Sequence, residues 1–230
     1  MLKSDIINAA KAAGFAKAGI APLNLLEELL PLLEKRGATP FVKADEKRID
    51  PSLYMQNANR AIVCLLPYFD GEDTSVARYA RGGDYHKPVK ERLKQVAETL
   101  GIEKYKLLVD SGGLPDRYLA YLAGLGWYGA NNLFYSDGLG CRFYIGSILA
   151  QLDIEPDVPV ENKCLNCGLC IKSCPTGALS APYKLDPQKC ISYLTQTDDL
   201  TDEQESLKKL GKYRLGCDEC TDCCPYNKGV

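Results

Sequence analysis

Four cysteines spaced C-x-x-C-x-x-C-x-x-x-C-P constrain this chain more than any other feature. They are Cys164, Cys167, Cys170 and Cys174, followed by Pro175. Cys217, Cys220 and Cys224 answer them near the C-terminus, again with a proline, Pro225, after the last. Thiolates are the soft ligands that hold iron, and in two-cluster proteins three cysteines of such a run hold one four-iron cluster while the fourth reaches the other. Zinc also takes four thiolates, but usually from knuckles of two cysteines rather than a compact run of three. A disulfide framework needs an oxidising compartment, and no signal-peptide pattern is read at the N-terminus. Two 4Fe–4S clusters are therefore expected. Cys164, Cys167, Cys170 and Cys224 would hold one, and Cys174, Cys217 and Cys220 the other. The eighth ligand is sought at Cys190, which opens the apolar segment Cys190–Leu194. Cys64, in the apolar run Ala61–Leu66, and Cys141 read as structural. Cys223 is set aside because the proline follows its neighbour.

A chain of 230 residues with 46% hydrophobic content can build a real core. No apolar run approaches a membrane span, so a soluble, cytoplasmic protein without membrane contact is expected. The net charge is −2, yet Arg78–Lys94 is locally basic and could meet phosphates. Helices are expected over residues 4–13, with Ser4 as cap and Gly14 as stop, over Asn24–Arg36, from the first turn at Pro88 to Leu100, and over Asp116–Ala123. Strands are expected at Phe15–Ile20, Arg60–Leu66, Tyr105–Val109 and Phe143–Leu149. This alternation argues for an α/β fold of mixed α and β layers over residues 1–155. Prolines mark 154–160 as an extended linker, and a ferredoxin-like double-cluster domain follows over 156–230.

A built-in ferredoxin implies a destination for its electrons. No G-x-G-x-x-G follows a strand and no phosphate-binding P-loop appears, so neither a dinucleotide nor ATP is indicated. Gly124-Leu-Gly-Trp-Tyr-Gly129 sets three glycines around Trp127, either a tight turn or a backbone approaching a planar cofactor. His86, the one histidine, sits in a glycine-marked loop before a helix. Asp110 ends the strand Tyr105–Val109.

These segments carry a resemblance. Ala77-Arg-Tyr-Ala-Arg-Gly-Gly-Asp-Tyr-His-Lys87, Val109-Asp-Ser111, Ala123-Gly-Leu-Gly-Trp-Tyr-Gly129, Cys190-Ile-Ser-Tyr-Leu-Thr195 and Gly216-Cys-Asp-Glu-Cys220 are similar, in order, to epoxyqueuosine reductases. The resemblance covers about residues 60–226. It implies cobalamin beside the two clusters, and removal of the epoxide oxygen of epoxyqueuosine in tRNA. It also implies a kinship to reductive dehalogenases. Cobalamin is expected against Arg78, Arg81, Asp84, Tyr85, His86, Trp127 and Gly129, with Asp110 as proton donor in a water-poor pocket. The implied partner is a low-potential electron donor such as a flavodoxin or ferredoxin. The chain departs from the family pattern at Gly112-Gly-Leu114, at Asp116-Arg117 and at Ala130. It stops six residues after Cys224, which reads as a short form without the family's helical-repeat domain. Two further readings stay open: reduction of a small organic substrate, as in the dehalogenases, or an electron-transfer role with no substrate chemistry of its own.

Overall fold

The computed structural model describes residues 1–31, 46–110 and 113–229. Two compact units share the chain. The first comprises Met1–Pro67, Tyr85–Leu125 and Tyr144–Val160, and the second Tyr68–Asp84, Gly126–Phe143 and Glu161–Val230.

The first unit is a four-stranded sheet with helices. Its strands are β1 (Lys17–Pro22), β2 (Arg60–Pro67), β3 (Tyr105–Val109) and β6 (Phe143–Ala150), in the order β1-β2-β6-β3. β1 runs antiparallel to β2 with Gly19 opposite Val63, and β3 antiparallel to β6 with Leu107 opposite Ile148. β2 is buried from Ala61 to Leu66, which explains its unbroken apolar run: a strand covered on both faces has no polar side to alternate with. Among the described residues, the helices α1 (Lys3–Ala12), α2 (His86–Thr99) and α3 (Asp116–Leu122) accompany the sheet. α2 buries Val89, Leu93, Val96 and Ala97, the recurrence of a 3.6-residue helix with one apolar face. It lies so close to β6 that a Cβ on Gly146 would come within 2.8 Å of Leu93 Cδ1.

Most expected elements appear with shifted ends. α1 starts at Lys3, not Ser4, because the Asp5 carboxylate reaches back to accept the Leu2 N–H at 2.7 Å. β1 begins two residues late, although Ala16 N–H already donates to Leu65 C=O at 2.9 Å. Of the helix expected over Asn24–Arg36, a 3₁₀ turn at Glu27–Leu29 is seen, and its second half lies outside the described residues. The segment 154–160 has no regular structure, as its prolines require. It is nonetheless stitched to β1: Asp157 N–H donates to Ile20 C=O, Ile20 N–H donates to Asp157 Oδ2 at 2.9 Å, and Lys3 pairs with the same carboxylate.

The second unit has short elements. A hairpin joins β4 (Trp127–Tyr128) to β5 (Phe134–Tyr135), and another joins β7 (Leu179–Ala181) to β8 (Lys184–Leu185). α4 (Leu169–Lys172), α5 (Ile191–Leu194) and α7 (Glu219–Asp222) are single turns that carry or adjoin cysteines. α6 (Asp202–Lys208) is set by a capping box, in which Thr201 Oγ1 accepts from Gln204 N–H and Gln204 Oε1 from Thr201 N–H. Among the described residues, no helix is long and apolar enough to cross a membrane.

Candidate active site and cluster cage

Three cysteines of one compact run and one from the far C-terminal block meet in the second unit. Cys164, Cys167, Cys170 and Cys224 line one recess of about 420 Å³, the space at its mouth included, together with Trp127, Gly129, Tyr135 and Tyr226. Those are the four cysteines expected to share a cluster. α4 presents Cys170, and the left-handed Gly168 turns the chain into that helix. Ala130 N–H donates to Cys164 Sγ at 3.4 Å. The donor set is all sulfur and the wall mostly apolar, so the recess fits the chemistry of an iron–sulfur cubane. Among the described residues, no three His, Cys, Asp or Glu side chains converge on one point as a single metal ion would require. A cubane asks for something different, one thiolate at each of four corners.

The second set is also gathered. Burial raises the Cys220 thiol well above its usual range, and Cys217, Cys190, Cys141 and Cys174 add to the rise. Burial likewise pushes Cys217 up to about 11, with Cys190 next among the neighbouring thiols. Cys190 is raised by burial and by Cys174. Cys174 behaves otherwise: burial raises it, but N–H groups of Leu179, Thr176 and Ala178 and the Thr176 hydroxyl together lower it. Metal coordination requires the thiolate, and iron would supply the charge that makes deprotonation of these buried groups favourable. Cys141 is buried and fixed by Asn227, whose Nδ2 donates to its sulfur at 3.2 Å. Cys64 is fully buried in β2, and burial drives its thiol far up. Cys223 stands near Cys170 but is not among the residues lining the recess.

The first unit carries the expected acid. β3 ends at Val109, and Asp110 follows in the left-handed conformation at φ 52°, at a cost of about 1 kcal/mol for a residue with a Cβ. Tyr85 donates its hydroxyl to Asp110 Oδ2 at 2.7 Å, and His86 Nε2 stands 3.6 Å from the same oxygen. The Tyr85 ring is stacked between His86 at 4.4 Å and Tyr144 at 4.1 Å. The Asp110 side chain is 65% exposed, so this unit by itself does not give it the expected water-poor pocket. Asp116, which the sequence marked only as a departure from a family pattern, has the sealed carboxyl instead. Its Oδ1 is buried without a hydrogen-bond partner among the described residues. Burial first, then the charge of Asp110, push it up to about 8, against the pull of Arg117 and Arg48.

The remaining expected cofactor contacts divide between the units. Tyr85 and His86 flank Asp110, while Arg78, Arg81, Asp84, Trp127 and Gly129 belong to the second unit. Arg78 is engaged twice: its N–H donates to the buried Asp218 and its Nε to Asp222 at 3.2 Å. Arg142 reaches the same Asp222 oxygen at 3.2 Å. Arg81 Nε donates to Val76 C=O, and Asp84 is exposed. Trp127 and Gly129, expected at cobalamin, line the cysteine recess.

Comparison with known proteins places this arrangement. Residues 48–111 match the family model described as Epoxyqueuosine reductase QueG, DUF1730, and residues 163–227 that of a 4Fe-4S double cluster binding domain. The epoxyqueuosine reductase of Cellulophaga algicola is 35% identical over 98% of this chain and 79% of that protein. The chain belongs to the epoxyqueuosine reductase family. Membership makes it an oxidoreductase of that general type, with queuosine synthesis, tRNA processing and iron–sulfur chemistry as family associations. The epoxyqueuosine reductase of Bacillus anthracis is 36% identical over all of this chain, which spans 65% of that relative's length. A crystal structure of epoxyqueuosine reductase with an epoxyqueuosine-modified tRNA-Tyr stem loop superposes with a TM-score of 0.86 at 33% identity, over 99% of this chain and 65% of the other. The Bacillus subtilis enzyme, solved with its catalytic aspartate loop swung out of the active site, gives 0.84 at 32%, over 99% and 65%. A catabolic reductive dehalogenase shares the fold, with a TM-score of 0.57 at 13% identity over 89% of this chain.

Proposed function

We propose that the protein is a cobalamin- and 4Fe–4S-dependent reductase that removes the epoxide oxygen of epoxyqueuosine in tRNA, fed by a low-potential flavodoxin- or ferredoxin-like donor. The observation that carries the reading is the fold match over 99% of the chain to a relative solved on an epoxyqueuosine-modified stem loop. We divide the labour between residues 1–155, which take the cobalamin and the substrate, and residues 156–230, which take the clusters.

Cys164, Cys167, Cys170 and Cys224 hold one cluster, and Cys174, Cys190, Cys217 and Cys220 the other. Arg78, Arg81, Asp84, Tyr85 and His86 carry the cations, acceptors and flat rings suited to cobalamin's amide-fringed macrocycle, and Trp127 and Gly129 the wall next to the first cluster. When bound, these cofactors supply low-potential electrons that no side chain can. Asp110 supplies the proton. Tyr85 and His86 both lie at Oδ2, which leaves Oδ1 without a hydrogen bond among the described residues and able to face the leaving oxygen. The stack of Tyr144, Tyr85 and His86 holds that geometry. Substrate and cofactor supply the cover that Asp110 lacks.

The test is anaerobic turnover of an epoxyqueuosine stem loop and of the free nucleoside by cluster- and cobalamin-loaded protein. Conversion of the stem loop that weakens with salt is expected. Asp110→Asn should keep its iron and cobalamin and lose about 10²–10⁴-fold in turnover, because an amide donates no carboxylic proton. Unchanged turnover in that variant would remove Asp110 as the donor. Loaded protein that converts neither form would remove the substrate.

A further inference from the structure

The recess that we assign to the first cluster holds two buried donors with nothing of their own to do. Trp127 is 1% exposed, and its Nε1 is sealed from solvent with no hydrogen-bond partner. An indole nitrogen can only donate, and an unpaired buried donor is costly unless something arrives to accept. The ring is held from other sides: Lys163 Nζ lies 5.4 Å over its face and the Tyr226 ring meets it edge-on at 5.1 Å. Cys164, Cys167, Cys170 and Cys224 line the same recess as that indole.

Tyr135 tells the same story from the opposite hairpin strand. It is 2% exposed and packs with Trp127 and Cys141 against Cys164 and Cys224. Its oxygen accepts from Asn131 Nδ2 at 2.9 Å, so its own proton must point elsewhere. The ring packs against Cys141 and Cys224, whose sulfurs lie close enough to act on the hydroxyl electrostatically. Asn131 cannot swing away to release it, because it also donates to Cys220 C=O at 3.0 Å and accepts from Leu133 N–H.

We propose that the Trp127 indole N–H and the Tyr135 hydroxyl are hydrogen-bond donors to the sulfurs of the first cluster and raise its reduction potential. The inference rests on the reading that the recess takes a 4Fe–4S cluster. Reduction adds one electron from the low-potential donor, and with it one negative charge shared over the sulfurs. A fixed donor stabilises the more negative, reduced form more than the oxidised form. In an apolar recess that preference is screened little. Cys174, Cys190, Cys217 and Cys220 do not line this recess, so the second cluster should not feel the two donors.

Trp127→Phe keeps an aromatic ring and deletes the N–H, and Tyr135→Phe deletes the hydroxyl alone. Iron and sulfide analysis of reconstituted wild-type protein comes first. Wild-type protein that takes up no iron would overturn the cluster reading itself. With both clusters loaded, a potentiometric titration followed by electron paramagnetic resonance should show one midpoint lowered in each variant and the other unmoved, the double variant falling further. After exchange into deuterated water, the reduced wild-type cluster should couple to deuterons that are missing from the variants. Wild-type iron content with both midpoints unchanged in both single variants would overturn the assignment.

Discussion

The first unit and the stretch Glu161–Val230 of the second are held together in different ways. The first closes around side chains that need no partner: Ile6, Ile20, Ile62, Leu65, Leu93, Leu119, Ile148 and Leu149 are all essentially fully buried. Between Glu161 and Val230, the buried apolar side chains among the described residues are Ala178, Leu179, Ile191 and Leu194. In the same stretch Leu165 is 63% exposed, Leu169 is 40% exposed and Cys167 is exposed. A segment with so little core depends on cross-links, much as zinc fingers fold only with their metal. The comparison separates a sheet that hydrophobic burial specifies from a cage that its cofactor must complete.

The largest effect should come from taking the iron away. Anaerobic chelation should erase hydrogen-exchange protection across Glu161–Val230 and leave the amides of β2 protected. Equal loss in both regions would break the contrast. Next comes Leu93→Ala, on the face that α2 turns to Gly146, which should cost about 2–5 kcal/mol. The first unit should lose protection while iron per chain stays as in the wild type. An iron loss in step with the stability loss would show that the two regions are not energetically separate.

The last of the three concerns Asp116. Its folded carboxyl is raised to about 8 from an ordinary 3.8. Between those values the folded chain keeps a proton that the unfolded chain gives up. Its contribution is therefore complete below the lower value and is lost as pH climbs through the upper one, by at most about 1.4 kcal/mol per pH unit. Asp116→Asn cannot ionise and should escape that decline. The Tm of the variant should gain on the wild type from about pH 5 to about pH 8. A constant difference would show that Asp116 is already ionised in the fold.

The sequence was most legible where meaning is local. β3 is read to the residue, because an apolar run ending at Asp110 has one interpretation. That Cys164, Cys167, Cys170 and Cys224 come together was expected from ligand counting, which needs spacing and no tertiary knowledge. The Trp127–Tyr135 hairpin escaped, since strands of two residues show no period and Gly124–Gly129 looks like a turn. Asp116, Asn131, Tyr135 and Asp218 escaped for another reason. Their significance lies in partners far along the chain, such as Arg78 for Asp218 and Cys220 for Asn131, and no single-sequence pattern records such pairs. Trp127 was noticed as an aromatic among glycines, but nothing in the sequence says that its nitrogen would be left without an acceptor.

The bond from Arg78 N–H to Asp218 also sets a timetable. It spans 140 residues. A ribosome adding about 5–20 residues per second leaves the earlier partner waiting on the order of ten seconds for the later one. Tyr68–Asp84 and Gly126–Phe143 emerge before the cysteines with which they share a unit. During that interval the sheet can form while its companion segments remain unfinished. Delivery of iron then has a natural moment, the emergence of Cys224, because it is the last of the eight expected ligands in chain order.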